Sequence, residues 1–343
     1  MENYHLNIII ERNIPFIAGL LEPYAKVSYL AANEFTPETV AEADGIVVRT
    51  RTRCDAALLE GSKVKFIATA TIGTDHIDLD WCREHGIAVV NAPGCNAPAV
   101  AQYVFASIMQ VINRPVSQYK IGIVGVGHVG SIVERWARSL DMKVMICDPP
   151  RQRAEGGDGW STLDEIAAEC DIITFHTPLT REDDDATYHI ADAGFFAKLR
   201  RQPVIINTAR GPIIDTPALI AAVDSGLVGH AVIDCWESEP DISRELLSRA
   251  VIATPHIAGY SHEGKVRATQ MTLDALTAFF YLPRINTFVQ APHGIPKGVT
   301  ARAVLANYNP LTDTRALKSD PTTFEQLRNN YRYRSEVTDS KAE

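Results

Sequence analysis

Short apolar runs alternate with amphipathic stretches along most of the chain. In the first half the runs NIII (7–10), GIVVRT (45–50), VKFIATA (64–70) and IAVVNA (87–92) have the length and composition of strands. DAALLEGS and DHIDLDWCREHG, between them, read as helical. APAVAQYVFASIMQVINR (97–114) predicts a long helix that runs between domains. The second half repeats the pattern more clearly. KIGIVGVG (120–127) is a strand that ends in glycines, and HVGSIVERWARSL places Val129, Ile132, Val133, Trp136 and Leu140 on one helical face. KVMICD (143–148), DIITFH (171–176), PVIINTAR (203–210), HAVIDCW (230–236) and VIATPH (251–256) follow as strand candidates, with short helices such as TPALIAAVDSG between them. Gly226 is a suitable stop for that helix. Strand and helix in regular alternation predict parallel sheets covered on both faces. A second long helix is expected over 264–281, and a proline-marked tail from about Leu282 reads as a small separate module.

Composition narrows the class. With 343 residues, a net charge of -9 and 46% hydrophobic residues, the chain suits two domains plus an appendage. The acidic balance argues against general affinity for nucleic acid or membranes. No apolar run approaches a membrane span, and the N-terminal run is too short for a signal peptide. Cys54, Cys82, Cys95, Cys147, Cys170 and Cys235 are scattered without metal-like spacing, so reduced thiols in a cytoplasmic protein and no metal site are expected.

Against this background IVVRTRTR (46–53) stands out. If the chain stays extended there, Arg49, Arg51 and Arg53 share one face. Three like charges together then call for an anion.

The candidate chemistry lies in the second half. GVGHVG fits G-x-G-x-x-G with Gly125, Gly127 and Gly130, follows a strand and opens an amphipathic helix. Asp148 ends the next strand, the expected place for a ribose-binding acid that favours NAD over NADP. Arg210, Glu239 and His256 stand at or just beyond three further strand ends, where ligands of open α/β sheets bind. Arginine offers a planar fork for a carboxylate. Histidine can take a hydroxyl proton near neutral pH, and a carboxylate beside it orients the ring. Together they suit hydride transfer from a 2-hydroxy acid.

GVGHVG, NTARGPIID, DCWESEP and TPHIAGYSHEG resemble the D-2-hydroxyacid dehydrogenase family. FIATATIGTDHID, NAPGCNAPAVAQYVF, CDPPR, FHTPLT and the tail segment FEQLRNNYRYRSE are similar to a branch of it that acts on a phosphorylated 2-hydroxy acid. The resemblance implies a Rossmann cofactor domain at 97–263 and a flavodoxin-like substrate domain at 1–96 with a returning helix at 264–282. It implies a dimerisation module at 283–343, and hence a homodimer. It implies NAD as cofactor, held by Gly125, Gly127, His128, Val129, Gly130, Asp148, Thr177, Thr208, Asp234 and Gly259. Arg210 would bind the carboxylate, His256 would exchange the proton and Glu239 would partner it. Thr50, Thr71 and Tyr260 match substrate positions, and Arg49 becomes the candidate for the substrate phosphate. Two other readings share the fold: a dehydrogenase of another 2-hydroxy acid such as 3-phosphoglycerate or glycerate, and an NAD(H)-sensing binding protein.

Overall fold

A computed structural model describes residues 6–182, 184–289 and 294–338. The chain divides into two compact units, Met1–Asn96 with His262–Pro292 and Ala97–Ser261 with His293–Glu343.

The first unit is a five-stranded parallel sheet. Its strands are β1 (Asn7–Glu11), β2 (Lys26–Leu30), β3 (Gly45–Val48), β4 (Phe66–Thr69) and β5 (Ala88–Val90), in the order β2-β1-β3-β4-β5. That order is the flavodoxin-like one. Its two faces follow the two-residue alternation. Ile8, Ile10, Val47 and Phe66 pack with Leu273 and Leu276 of the helix His262–Phe279, while Ile9, Ile46, Val48 and Ile67 pack with Leu58 and Leu59.

The second unit has six parallel strands: β6 (Lys120–Val124), β7 (Lys143–Cys147), β8 (Ile172–Phe175), β9 (Val204–Asn207), β10 (His230–Ile233) and β11 (Ile252–Ala253). Their order is β11-β10-β9-β8-β6-β7. A parallel bridge of Trp160 to Ile146 beyond β7 supplies the start of a further strand, which completes the dinucleotide-binding order. Ile121, Ile123, Ile206 and Val232 face one core with Trp136 and Val104; Ile173, Phe175, Ile205 and Ile233 face the other with Ile166 and Phe195.

Three sequence expectations change. The strand KVSYL (26–30) was not expected; it lies at the sheet edge and is only half-buried, so its apolar signal is weak. The arginine run does not continue as strand. β3 stops at Val48 and the Thr52 N–H donates to the Arg49 carbonyl at 3.2 Å, closing a turn that breaks the two-residue alignment. The tail, expected to stand apart from about Leu282, is divided: residues up to Pro292 cluster with the first unit and those from His293 with the second. Its helices Ala301–Asn307, Pro310–Ser319 and Phe324–Asn329 bury Val304 in one core of the second unit and Leu317 and Phe324 in the other. Among the described residues no helix is long and apolar enough to cross a membrane.

Candidate active site

The glycine loop is built for close approach. Gly125 has φ +87°, and a Cβ there would lie 2.8 Å from the Thr177 nitrogen. A Cβ on Gly130 would meet the Gly125 carbonyl oxygen at 2.0 Å. By contrast, a Cβ on Gly127 would meet open space, and Gly127 starts the helix His128–Ser139 without a side-chain cap. The first-turn N–H groups of that helix, beginning at His128 and Val129, have the polarity that a pyrophosphate needs. Among the described residues the Thr177 hydroxyl, buried beside this loop, has no hydrogen-bond partner. A donor held ready next to a glycine cradle fits a dinucleotide.

Asp148 follows β7 and holds the loop in place. Its Oδ2 accepts from the Val126 N–H at 2.8 Å and its Oδ1 from the Arg151 N–H at 3.0 Å. The Arg151 guanidinium also donates to the Val126 carbonyl at 2.6 Å. Asp148 therefore shapes the loop that a nucleotide would occupy, a role the sequence did not announce. Thr208 lies 3.3 Å from Nδ1 of His176, whose Nε2 is 3.0 Å from the Thr174 hydroxyl. Desolvation lowers the His176 pKa to about 3, so this ring is neutral.

The Glu239–His256 pair is formed. His256 Nδ1 lies 2.8 Å from Glu239 Oε2 and 3.1 Å from Oε1. The Trp236 N–H donates to Oε1 at 2.9 Å. Burial works to raise the Glu239 pKa, but His256, the Trp236 N–H and Arg328 together bring it below the ordinary value, so the group is a carboxylate. A carboxylate accepts at Nδ1, which leaves Nε2 of the neutral ring as the free base. The sequence DCWESEP offers two glutamates, and the structure separates them. Glu237 instead pairs with His189 at 2.7 Å and accepts from the Thr216 N–H at 3.0 Å.

His256 is held in a turn with φ +56°, a conformation uncommon for histidine. Asp234 pins that turn. It is 1% exposed, and its carboxylate accepts from the Thr254 hydroxyl (2.6 Å) and from the N–H groups of Ile257 (2.8 Å) and Ala258 (2.9 Å). Burial raises the Asp234 pKa despite these donors. Gly259 and Tyr260 complete the turn, whose Tyr260 N–H returns to the Ile257 carbonyl at 2.9 Å. From the other side Arg334 of the tail, 7% exposed, donates to the carbonyls of Ile257, Ala258 and Tyr260. Arg210 follows β9, and the Asn207 side chain fixes its carbonyl at 2.9 Å. A Cβ on the next residue, Gly211, would lie 1.9 Å from the Trp236 carbonyl oxygen, so β9 and β10 leave their sheet in contact.

Cys235 lies close enough to Glu239 and His256 to form a ligand trio, within 4.8 Å. Its thiol is buried, donates to the Ala209 carbonyl at 3.4 Å and has its pKa pushed well up by desolvation, so it stays protonated.

In the first unit Arg49 and Thr50 follow β3, and Thr71 follows the neighbouring β4. The Thr71 hydroxyl is 2.7 Å from that of Thr69. Arg49 already has an anion: its Nε and Nη2 lie 2.8 and 2.7 Å from Glu11 Oε1, and its N–H donates to Oε2 at 2.9 Å. Glu11 is 1% exposed. Arg53 pairs with Asp55 at 2.5 Å. The missed residue is Arg328, whose Nη1 lies 3.9 Å from Glu239 Oε2 and whose Nε donates to the Tyr260 hydroxyl at 3.2 Å.

Comparison with known proteins agrees with this chemistry. The profile of the D-isomer specific 2-hydroxyacid dehydrogenase NAD binding domain matches residues 100–258. Erythronate-4-phosphate dehydrogenase of Bacteroides thetaiotaomicron is 47% identical over 96% of this chain and 97% of its own. The enzyme of that name from Porphyromonas gingivalis is 43% identical over 97% and 94%. Among solved structures, D-lactate dehydrogenase from Aquifex aeolicus with NAD and lactic acid superposes with a TM-score of 0.68 at 25% identity, covering 80% of this chain and 95% of its own. NAD-bound 3-phosphoglycerate dehydrogenase from Entamoeba histolytica gives 0.68 at 26%, with the same coverage. The chain belongs to the erythronate-4-phosphate dehydrogenase family of the D-isomer-specific 2-hydroxyacid dehydrogenases.

Proposed function

We propose that the protein oxidises 4-phospho-D-erythronate to 3-hydroxy-2-oxo-4-phosphobutanoate, a step of pyridoxal 5'-phosphate (vitamin B6) biosynthesis. The observation that carries this is the Glu239–His256 pair in the same unit as a dinucleotide loop, in a chain nearly half identical over its length to enzymes of that name. NAD, when bound, accepts the hydride from C2. The chain's residues do the rest. Arg210 holds the carboxylate and the reacting oxygen by its planar fork. Nε2 of His256 takes the hydroxyl proton, and Glu239 stabilises the imidazolium that results. Asp148 is assigned to the adenosine ribose, Thr177, Thr208, Asp234 and Gly259 to the lining of the cofactor, and Thr50, Thr71 and Tyr260 to the substrate. The pairing of Arg49 with Glu11 leaves its guanidinium only partly available, so its phosphate role is as one member of a set. Assembly as a homodimer and a cytoplasmic location complete the proposal.

The test is a panel of phosphorylated and unphosphorylated 2-hydroxy acids, assayed for NAD reduction. 4-Phospho-D-erythronate should give the highest kcat/KM. Preference for 3-phosphoglycerate or glycerate would move the protein elsewhere in the family, and NADH binding without turnover would make it a sensor.

A further inference from the structure

We propose that Arg328, on the tail helix Phe324–Asn329, is a positioning residue that sets the working pH of the Glu239–His256 pair and fixes the Tyr260 phenol beside it. This rests on the dehydrogenase reading above and deepens it. Arg328 reaches Glu239 Oε2 at 3.9 Å, the same oxygen that lies 2.8 Å from His256 Nδ1. Its Nε donates to the Tyr260 hydroxyl at 3.2 Å. Its side chain is only 15% exposed, so solvent screens it weakly. The helix that delivers it is anchored by Phe324, which is 1% exposed in the core.

Glu239 therefore faces two cations, one permanent and one that appears only when the ring takes a proton. The permanent charge keeps Glu239 ionised while the ring is neutral, so the Nδ1 hydrogen bond and the free Nε2 persist between turnovers. It also opposes the imidazolium, because two cations that address the same Glu239 oxygen in a partly buried site repel. Among the described residues, the other charged or titratable groups around the pair include Asp234 after β10, Arg210 after β9, the Cys235 thiol, the Tyr260 phenol and Arg334, whose guanidinium donates to the Ile257 and Ala258 carbonyls. Glu325, on the helix of Arg328 itself, lies 4.0 Å from Nη1. Asp234 lies on the His256 side and favours the imidazolium. Arg328 reaches Glu239 itself and, with Arg334, offsets that pull. Ring contacts of Tyr260 with Tyr331 and Tyr333, at centroid distances of 6.0 and 6.2 Å, hold the phenol where Arg328 meets it.

The test compares wild type with Arg328→Gln, which keeps length and removes charge, and Arg328→Lys, which keeps charge. For each, kcat/KM for NAD reduction is measured from pH 5 to 9, with NADH affinity by fluorescence. In Arg328→Gln the rising limb should move up by about 0.5–1.5 pH units, from one charge removed at an effective dielectric constant of 20 or above. Arg328→Lys should keep the limb within about 0.3 units of wild type on the same reasoning while losing rate through the Tyr260 contact. NADH affinity should stay unchanged in both. Titration of the His256 ring by NMR needs no turnover and should show the same shift. It therefore separates this proposal from the choice of substrate: if wild type turns over none of the acids tested, the ring titration still decides the role of Arg328. A uniform loss of rate in Arg328→Gln with the limb and the ring titration unmoved would make Arg328 a packing residue. A limb displaced in Arg328→Lys as far as in the glutamine variant would overturn the electrostatic role as well.

Discussion

Glu239 carries a prediction that separates charge from shape. Glu239→Gln keeps the side chain's size and a hydrogen-bond acceptor for Nδ1 but removes the charge that favours imidazolium. The rising limb of the kcat/KM profile for oxidation should move to lower pH, opposite to Arg328→Gln. A limb that stays where it is would remove Glu239 as the electrostatic partner. Arg210→Lys should cost at least tenfold in kcat/KM although charge is kept, because a point donor cannot form the two-pronged carboxylate contact. Arg49 needs a more careful design, since Arg49→Ala also strands the buried Glu11 carboxylate. That stranding should cost on the order of 3 kcal/mol of stability. In the double variant Arg49→Ala with Glu11→Gln the stability should largely return, leaving any loss specific to the phosphorylated substrate in plain view. His176 gives a prediction in stability. Its folded pKa of about 3 lies below the ordinary 6.5, so the unfolded chain binds the proton first. The stabilisation is full above pH 6.5 and is lost as pH falls toward 3, amounting to about 2 kcal/mol by pH 5. The urea midpoint of His176→Gln should fall less between pH 7 and 5 than that of wild type.

At the scale of the element, the glycine loop and the turn of His256 were legible to different degrees. Gly125, Gly127, Gly130 and Asp148 could be read because the motif sits between a strand and an amphipathic helix, where Gly125 and Gly130 have a steric reason and Gly127 opens the helix. The pairing of Glu239 with His256 was readable because strand ends of a parallel sheet converge. What holds the His256 turn was not. Asp234 satisfies three donors within that turn, and nothing in a lone aspartate after a strand announces this. Arg328 was invisible because its contact joins residues far apart in sequence, and short helices rich in polar residues give little periodic signal. The edge strand KVSYL escaped for a similar reason: half-burial mixes polar and apolar positions. The arginine run misled because strand length was judged by apolar content, while the chain turns immediately after Val48. Asp148 holds the glycine loop and is the residue proposed for the ribose. Asp148→Ala should narrow the preference for NAD over NADP and also weaken NADH binding, because the Val126 N–H loses its acceptor. Equal wild-type rates with the two cofactors would count against the ribose assignment.

At the scale of the whole molecule, the tail changes what truncation should do. As a separate module it could be removed with loss of the dimer alone. Because Val304, Leu317 and Phe324 are buried in the two cores of the cofactor unit, deletion from residue 294 should instead lower that unit's melting temperature markedly. A truncated chain that melts as wild type does would restore the independent module. The division at the other end of this segment is equally informative: Gln270 bonds the Ile285 carbonyl at 2.8 Å, so the first part of the tail stays with the sheet it follows.

The Arg334 contacts also bear on how the enzyme is made. A side chain near the end of the described chain crosses 76 residues to reach the Ala258 carbonyl and 235 to reach that of Ala99. During synthesis both sheets and the glycine loop leave the ribosome before Arg334 does. The turn that carries His256 then waits, its Ala258 and Tyr260 carbonyls without the Arg334 guanidinium, until the tail arrives. Contacts of such long sequence separation are slow to close. Nascent chains should therefore acquire compact sheets early and catalytic competence late, and a chain released before Arg334 would be folded in large part and chemically silent.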